Sequence, residues 1–322
     1  MHVFLAGATG AVGRPLLRQL INSGHQVTAT TRSAAKAEEL RHLGATSVIV
    51  DGIDAAAIAA AVAAAKPGAI IHQMTALAGK PDLKHFDRWF AATNLLRTKG
   101  SDHLLAAAQA TGVKRFIAQS YTGWNNMRGG GFVKTEDDPL DANPVKVQAE
   151  TLAAIQYLER AVLKAPLTGI VLRFGNLYGP GASEEMIRLV RKRMFPILGG
   201  GAGVWSWCHV EDAAAATVLA VEQGSRGIYN IVDDEPARVS EWLPYLAEAV
   251  GAKPPFRMPV WLGRLLAGDA AAQWMTEGRG ASNAKAKREL GLQPAWPTWR
   301  EGFRRGLLGQ EQVGSPRLKD QA

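Results

Sequence analysis

The chain has 322 residues, 47% hydrophobic and 20% charged, which excludes a fibrous or disordered polymer and allows one large domain or a domain with a smaller lobe. Its net charge of +8 is scattered, with the densest cluster at Arg188 to Arg193, and so reads as solvated helix faces or attraction for a small anion, not a nucleic-acid groove. Apolar stretches such as Ala55 to Ala65 are shorter than the about 20 residues a bilayer requires, no leader peptide is visible at Met1 to Ala6, and Cys208 has no cysteine partner, so a cytoplasmic protein without membrane or metal sites is expected.

The first elements alternate. A short apolar run at Val3 to Ala6 precedes a helical pattern from about Val12 to Ser23 and a strand at Gln26 to Thr30. Helix, strand, helix and strand follow near Ala34 to Leu43, Ser47 to Val50, Ala55 to Ala65 and Ala69 to His72. One long helix is expected from about Phe86 to Thr111, then a strand at Arg115 to Ala118. After Gly123 comes a loop rich in glycine, acid and proline, then a helix from about Val145 to Leu163 and a strand at Gly169 to Arg173. Such alternation implies an α/β fold, a doubly wound parallel sheet with helices on both faces, because parallel strands need crossover connections. Seven of the nine tryptophans lie beyond this point, among shorter elements and many prolines.

The motif Gly7-Ala8-Thr9-Gly10-Ala11-Val12-Gly13 joins the first strand to the first helix. In that context Gly7 suits a tight turn, Gly10 a close approach of backbone to diphosphate, and Gly13 close packing of helix on strand. The helix N-terminus adds unpaired N–H groups suited to phosphate. A dinucleotide is therefore expected here. The second strand ends in Thr30-Thr31-Arg32-Ser33, with no carboxylate to accept from a ribose and with Arg32, Ser33 and Lys36 able to hold a 2′-phosphate. NADP(H) is preferred over NAD(H), although Lys36 also suits a plain exposed helix position. Asp51 and Gly52 follow the third strand, where Asp51 either receives the adenine amino group or caps a turn. Gln73, Met74 and Thr75 follow the fourth and would line the ribose and diphosphate. Residues 1–175, with a strand and helix from about 205–232, are expected to form the Rossmann domain, 176–309 mainly a substrate-binding lobe, and 310–322 a polar tail.

Several motifs in order resemble those of extended short-chain dehydrogenases/reductases, the NAD-dependent epimerase/dehydratase-like family. They are Gly7 to Gly13, Val113 to Ile117 leading to Ser120, Leu172 to Gly181, Trp207 to Ala213, Gly227 to Asn230, and Ala284 to Leu292. The resemblance implies a serine or threonine after the fifth strand and a tyrosine four residues before a lysine. Lys146 falls at the lysine position, where it would bind the nicotinamide ribose, but Ala142 falls at that of the tyrosine. Tyr121, flanked by Ser120 and Thr122, falls at the serine/threonine position. It is either a replacement proton donor or a packed tyrosine with its hydroxyl satisfied. Arg97 replaces the asparagine of the family's proton relay, either to steer an anion or as a solvated or salt-bridged arginine. Phe174, Asn176 and Tyr178 correspond to residues near nicotinamide and substrate. Trp124, Trp205, Trp207 and His209 would form an aromatic substrate wall or the core of the lobe.

These residues imply an NADP(H)-dependent oxidoreductase, monomer or homodimer, that passes hydride to or from a carbonyl, imine or activated alkene of a small molecule. Two alternatives stand beside it: a sugar-nucleotide epimerase/dehydratase, and a non-catalytic NADP(H) sensor that has lost the proton relay.

Overall fold

Alternate residues of the opening strand, β1 (His2–Ala6), face opposite layers: Val3 and Leu5 enter one apolar core, Phe4 and Ala6 the other. A strand buried on both faces belongs in the middle of a parallel sheet, and β1 lies between β2 (Gln26–Thr31) and β4 (Ala69–His72). The computed structural model describes residues 1–77 and 81–307, so the expected tail lies outside the described residues. Adding β3 (Thr46–Ile49), β5 (Arg115–Tyr121), β6 (Thr168–Phe174) and β7 (Gly227–Ile231) completes a seven-stranded sheet in the order β7-β6-β5-β4-β1-β2-β3. All its pairings are parallel, as the alternation of elements implies. The order reverses between β1 and β4, the switch point above which ligands of such sheets bind.

One face is covered by α1 (Gly13–Asn22) and α8 (Val210–Glu222), with Leu16, Leu17, Leu20, Ala213 and Ala214 in the core. The other carries α3 (Ala55–Ala65), α5 (Ser101–Thr111) and α6 (Ala149–Lys164), which bury Ile58, Val62, Leu104 and Leu158. Between α1 and α3, α2 (Ala34–His42) begins at Ser33, whose hydroxyl accepts from Lys36 N. A third core in the C-terminal half gathers Trp205, Trp207, Trp242, Trp299 and Phe303. Its helices are α7 (Glu184–Arg191), α9 (Val239–Ala249), α10 (Val260–Ala267), α11 (Asp269–Glu277) and α13 (Trp299–Arg305), while α12 (Ala284–Leu290) buries Ala286 and Leu290 in the core beside α8.

Two elements differ from the sequence reading for tertiary reasons. The helix expected from Phe86 to Thr111 is interrupted: α4 (Phe86–Leu95) ends in a π-turn over Leu96–Gly100 before α5 begins. The Leu96 carbonyl accepts from Ser101 N–H five residues on and from His72 Nε2 at 3.1 Å, so a contact from β4 stabilises the wider turn. The helix α6 begins at Ala149 instead of Val145, after a 3₁₀ turn at Lys146–Gln148. Its start is held by Asp87 of α4, whose carboxylate accepts from Glu150 N at 3.1 Å and Thr151 N at 2.8 Å.

Candidate active site

The glycine turn separates what the fold requires from what a ligand requires. Gly7 has φ +97°, and a Cβ there would stand 2.6 Å from the Gln73 carbonyl carbon; a Cβ on Gly13 would stand 2.3 Å from the Gly7 oxygen. Both neighbours are backbone and cannot yield, so β1, β4 and α1 meet this closely only through glycine. At Gly10 the nearest atom to a Cβ would be the Gly7 oxygen, at 3.6 Å. The fold leaves space there, and a backbone bared to a diphosphate explains the missing side chain. Thr9 and Ala11 are half-buried beside it and Val12 is buried. The first turn of α1 holds no acidic residue and has no side-chain cap; Arg14 N and Leu16 N bond to Gly10 O and Val12 O and Pro15 has no N–H, which leaves the N–H groups at Val12 and Gly13 for an anion.

At the adenosine end, Arg32 and Lys36 are exposed, and their side chains have no ion-pair or hydrogen-bond partner among the described residues. The Ser33 hydroxyl serves as the cap of α2 and retains its own proton for donation. Asp51 is exposed and accepts from Ile53 N at 3.1 Å, the turn-capping geometry, with its second oxygen free. Gly52 is pressed against Met74, whose sulfur would lie 2.4 Å from a Cβ there. Thr75 is exposed, while Gln73 is 5% exposed with neither amide atom bonded. A buried amide beside the glycine turn with both ends open fits a ligand that supplies its partners. A dinucleotide thus fits the turn, with Gly10 and the start of α1 bare toward a diphosphate and Arg32 and Lys36 exposed beyond the end of β2.

At the nicotinamide end the three hydroxyls expected near the reaction are committed elsewhere. Ser120 Oγ donates to Glu159 Oε1 at 2.7 Å, and Glu159 makes a two-pronged buried pair with Arg173, at 2.8 and 2.7 Å. The serine therefore faces the α6 layer. Thr122, 1% exposed, bonds to Asn126 at 2.9 Å and shapes the loop. Tyr121 O–H donates to Asn176 Oδ1 at 2.9 Å, and Asn176 is held by Nδ2 donating to Ser206 O at 3.0 Å. Burial pushes the Tyr121 phenol well above its ordinary pKa. Phe174 is buried at the end of β6, and Ala142 and Lys146 are exposed. The segment leading to Lys146 is fixed by Arg128, which pairs with Asp141 and with Glu277 of α11, each at 2.9 Å, and donates to Asn143 O at 2.7 Å.

The aromatic residues read as either a substrate wall or the core of the lobe divide. Tyr178, Trp207 and His209 are 0%, 1% and 3% exposed, so they lie inside the lobe and present no surface to a substrate. His209 caps α8 by accepting from Glu211 N and reaches Gly306 O through Nε2 at 3.0 Å; burial lowers its pKa, which favours the neutral ring. Trp205 stacks on Trp274 at 4.3 Å and is also core. The physical reason is that the lobe has short elements and builds its interior from large rings. Trp124 instead joins a separate cluster with Phe86 and Phe90, against which half-buried Trp89, Tyr121 and Trp274 pack. Sequence reading missed this cluster, although the spacing of Phe86, Trp89 and Phe90 is a helical apolar face and signals it.

The profile of the NAD dependent epimerase/dehydratase family matches residues 3–232. The chain is 40% identical over 311 residues, 95% of its own length and all of the relative's, to a Streptomyces protein named 3-diazoavenalumate denitrifying reductase. It is 29% identical over 266 residues to 2-alkyl-3-oxoalkanoate reductase of Stenotrophomonas maltophilia, covering 78% of this chain and 76% of that one. Among solved structures, UDP-glucose 4-epimerase of Thermotoga maritima superposes with a TM-score of 0.73 at 22% identity, over 95% of this chain and 97% of that one. The Thermus thermophilus UDP-glucose 4-epimerase in complex with NAD gives 0.72 at 23%, over 95% and 98%. These last two likenesses concern the fold. The chain belongs to the NAD-dependent epimerase/dehydratase family, as an NAD(P)-dependent oxidoreductase.

Proposed function

We propose that the protein is an NADPH-dependent reductase whose acceptor carbon requires no proton from the enzyme, specifically a carbon bearing a diazo group. The observation that carries this reading is the absence of a placed acid: residue 142 is alanine, and the phenol that stands nearby, Tyr121, points its proton at Asn176. Reduction of a carbonyl must quench a developing alkoxide, for which a positioned donor contributes about 10²–10⁴-fold. When bound, the reduced nicotinamide supplies hydride, and with a diazonium carbon the balance is R–N₂⁺ plus H⁻ giving R–H plus N₂, with no proton consumed. The chain's own residues then bind and orient: Gly10 and the start of α1 hold the diphosphate, Arg32 and Lys36 select the 2′-phosphate, Lys146 holds the ribose, and the aromatic cluster around Trp124 excludes water. The denitrifying reductase that is 40% identical supports the substrate class.

Incubation with 4-carboxybenzenediazonium and NADPH carrying deuterium at C4 tests this, with an enzyme-free control. The expected result is benzoate with deuterium at the former diazo carbon, formed faster with NADPH than with NADH. Product formation at the enzyme-free rate would refute the reading. The second reading is a carbonyl reductase in which Tyr121 donates the proton and Lys146 holds the ribose, supported by the relative named as a 2-alkyl-3-oxoalkanoate reductase. Turnover of a β-keto acid that is lost in Tyr121→Phe would favour it.

A further inference from the structure

Among the described residues three arginine or lysine side chains are buried: Arg97, Lys134 and Arg173. Arg173 has the Glu159 carboxylate, and Lys134 has the Gly129 carbonyl at 2.5 Å and Asp138 at 3.5 Å. Arg97 is 7% exposed, and no hydrogen bond or ion pair reaches its guanidinium from any described residue; Nη1 is wholly buried without an acceptor. The groups around it do not satisfy it. Glu159 exerts an attraction, but its two oxygens are engaged by Arg173 and Ser120. His72 faces it as a neutral ring, with Nε2 donating to Leu96 O and Nδ1 accepting from Met74 N. Phe90 lies 5.5 Å below it. This buried layer holds two guanidinium cations against one carboxylate, one positive charge in excess.

An uncompensated buried charge is destabilising by several kcal/mol and persists where something else supplies the counter-charge. The π-turn at Leu96–Gly100 carries Arg97, and the ring beneath the guanidinium leads toward the reaction site. Phe90 stacks on Phe86 at 4.5 Å, Phe86 meets Trp124 edge-on at 5.1 Å, and Trp124 stacks near Tyr121 at 6.2 Å, at the carboxyl end of β5. These rings are buried or half-buried and packed on one another, so they wall the layer and leave the planar fork of donors at Arg97, over the face of Phe90, as the open group, which matches the two oxygens of a carboxylate.

We propose that Arg97 is the substrate-anchoring residue, and that the substrate class is an aromatic or conjugated carboxylic acid held by a two-pronged contact to this guanidinium. The assignment deepens the reductase reading by naming the other end of its substrate, but binding of the acid does not depend on any turnover. Burial lowers the Arg97 pKa only to about 10, so the side chain is cationic at neutral pH.

The test uses full-length protein saturated with NADP⁺, with cinnamate and cinnamamide as probes, read by tryptophan fluorescence and calorimetry. The wild type is expected to bind cinnamate at least tenfold more tightly than the amide. In Arg97→Met that preference disappears while the Kd for NADP⁺ stays within twofold, and Arg97→Lys keeps part of it. In addition, ligand-free Arg97→Met is expected to melt no lower than the wild type, since it removes an unpaired charge, whereas an arginine serving the fold would lower Tm. Equal binding of acid and amide to the wild type, a retained preference in Arg97→Met, or a melting point several degrees lower would each overturn the assignment. If the diazonium substrate is not turned over yet the acid preference vanishes in Arg97→Met, the reaction class fails and the anchor stands.

Discussion

Replacing Glu159 by leucine tests the polar layer beneath the site most severely. Glu159 and Arg173 are 5% exposed each, and the carboxylate takes both prongs of Arg173 together with the Ser120 hydroxyl. Removing it strands Arg173 and deprives Arg97 of its attraction, so one uncompensated cation becomes two. Breaking a buried pair by deleting one partner costs about 3–5 kcal/mol. At about 2.1 cal/mol/K per residue, the 322-residue chain has an unfolding entropy near 0.7 kcal/mol/K, so the loss corresponds to a Tm about 4–7 °C lower. Adding Arg173→Met to Glu159→Leu removes the stranded charge and is expected to restore most of that loss, because an apolar substitute for a buried ion pair is often neutral or better. Scanning calorimetry of the two single variants and the double variant, without ligand, measures the cycle. If Glu159→Leu melts within 1 °C of the wild type, or the double variant melts below Glu159→Leu, the claim that this layer is governed by unpaired charge is refuted.

Further outcomes follow from individual contacts. Gly13→Ala places a Cβ 2.3 Å from the Gly7 oxygen, so the ligand-free protein should lose about 1–3 kcal/mol of stability, read as a lower Tm by scanning calorimetry. Arg32→Asp should reverse the preference for NADPH over NADH, shifting the ratio of kcat/KM values by at least about tenfold, since a charge-assisted contact of about 1.5–3 kcal/mol becomes a repulsion. Burial lowers the His72 pKa from 6.5 to about 4, so this group favours the folded state above pH 6.5. That contribution declines as pH falls from 6.5 toward 4, where the unfolded chain binds the proton first; the full span is about 3 kcal/mol, and denaturant titrations of His72→Gln should be flatter over this window. Tyr121→Phe removes the donor to Asn176 but no acid that a diazo substrate needs, so turnover of 4-carboxybenzenediazonium should change by less than about threefold, against a hundredfold or more for a proton-donating role.

The sheet was legible because its signal is local. Strands buried on both faces read as short apolar runs, and the turn at Gly7 to Gly13 carries its geometry in residues that touch one another. What was not legible rests on partners far along the chain. The break in the long helix depends on His72 reaching the Leu96 carbonyl, 24 residues away, and nothing in the residues 96–100 marks a π-turn. Ser120 stands in a family motif, but its hydroxyl is claimed by a glutamate 39 residues later. Tyr178, Trp207 and His209 come from matching motifs and can be read as binding or as core residues; a lobe of short elements needs large rings for its interior and takes these. Arg97 could be flagged as a departure from the family, but its lack of a partner is a property of the folded surroundings.

The two departures at the reaction end act in the same direction. Without an acid at residue 142 the site is unsuited to an acceptor that builds negative charge at the reacting atom, and with an unpaired cation at Arg97 it is unsuited to hold positive charge near that side chain. A substrate with a cationic diazonium head and a carboxylate tail satisfies both conditions in one orientation only. At roughly 5 Å and an effective dielectric of about 20, a unit charge gains or loses about 3 kcal/mol beside such a guanidinium. With the opposite charge at the far end, about 10 Å off, taking back about half of this, turning the substrate end for end makes a difference of about 3 kcal/mol, enough to favour which end meets the cofactor without any donor at the reacting carbon. On the proposed reading, an arginine anchor in place of a tyrosine acid would make orientation, not proton transfer, what the protein supplies to hydride delivery.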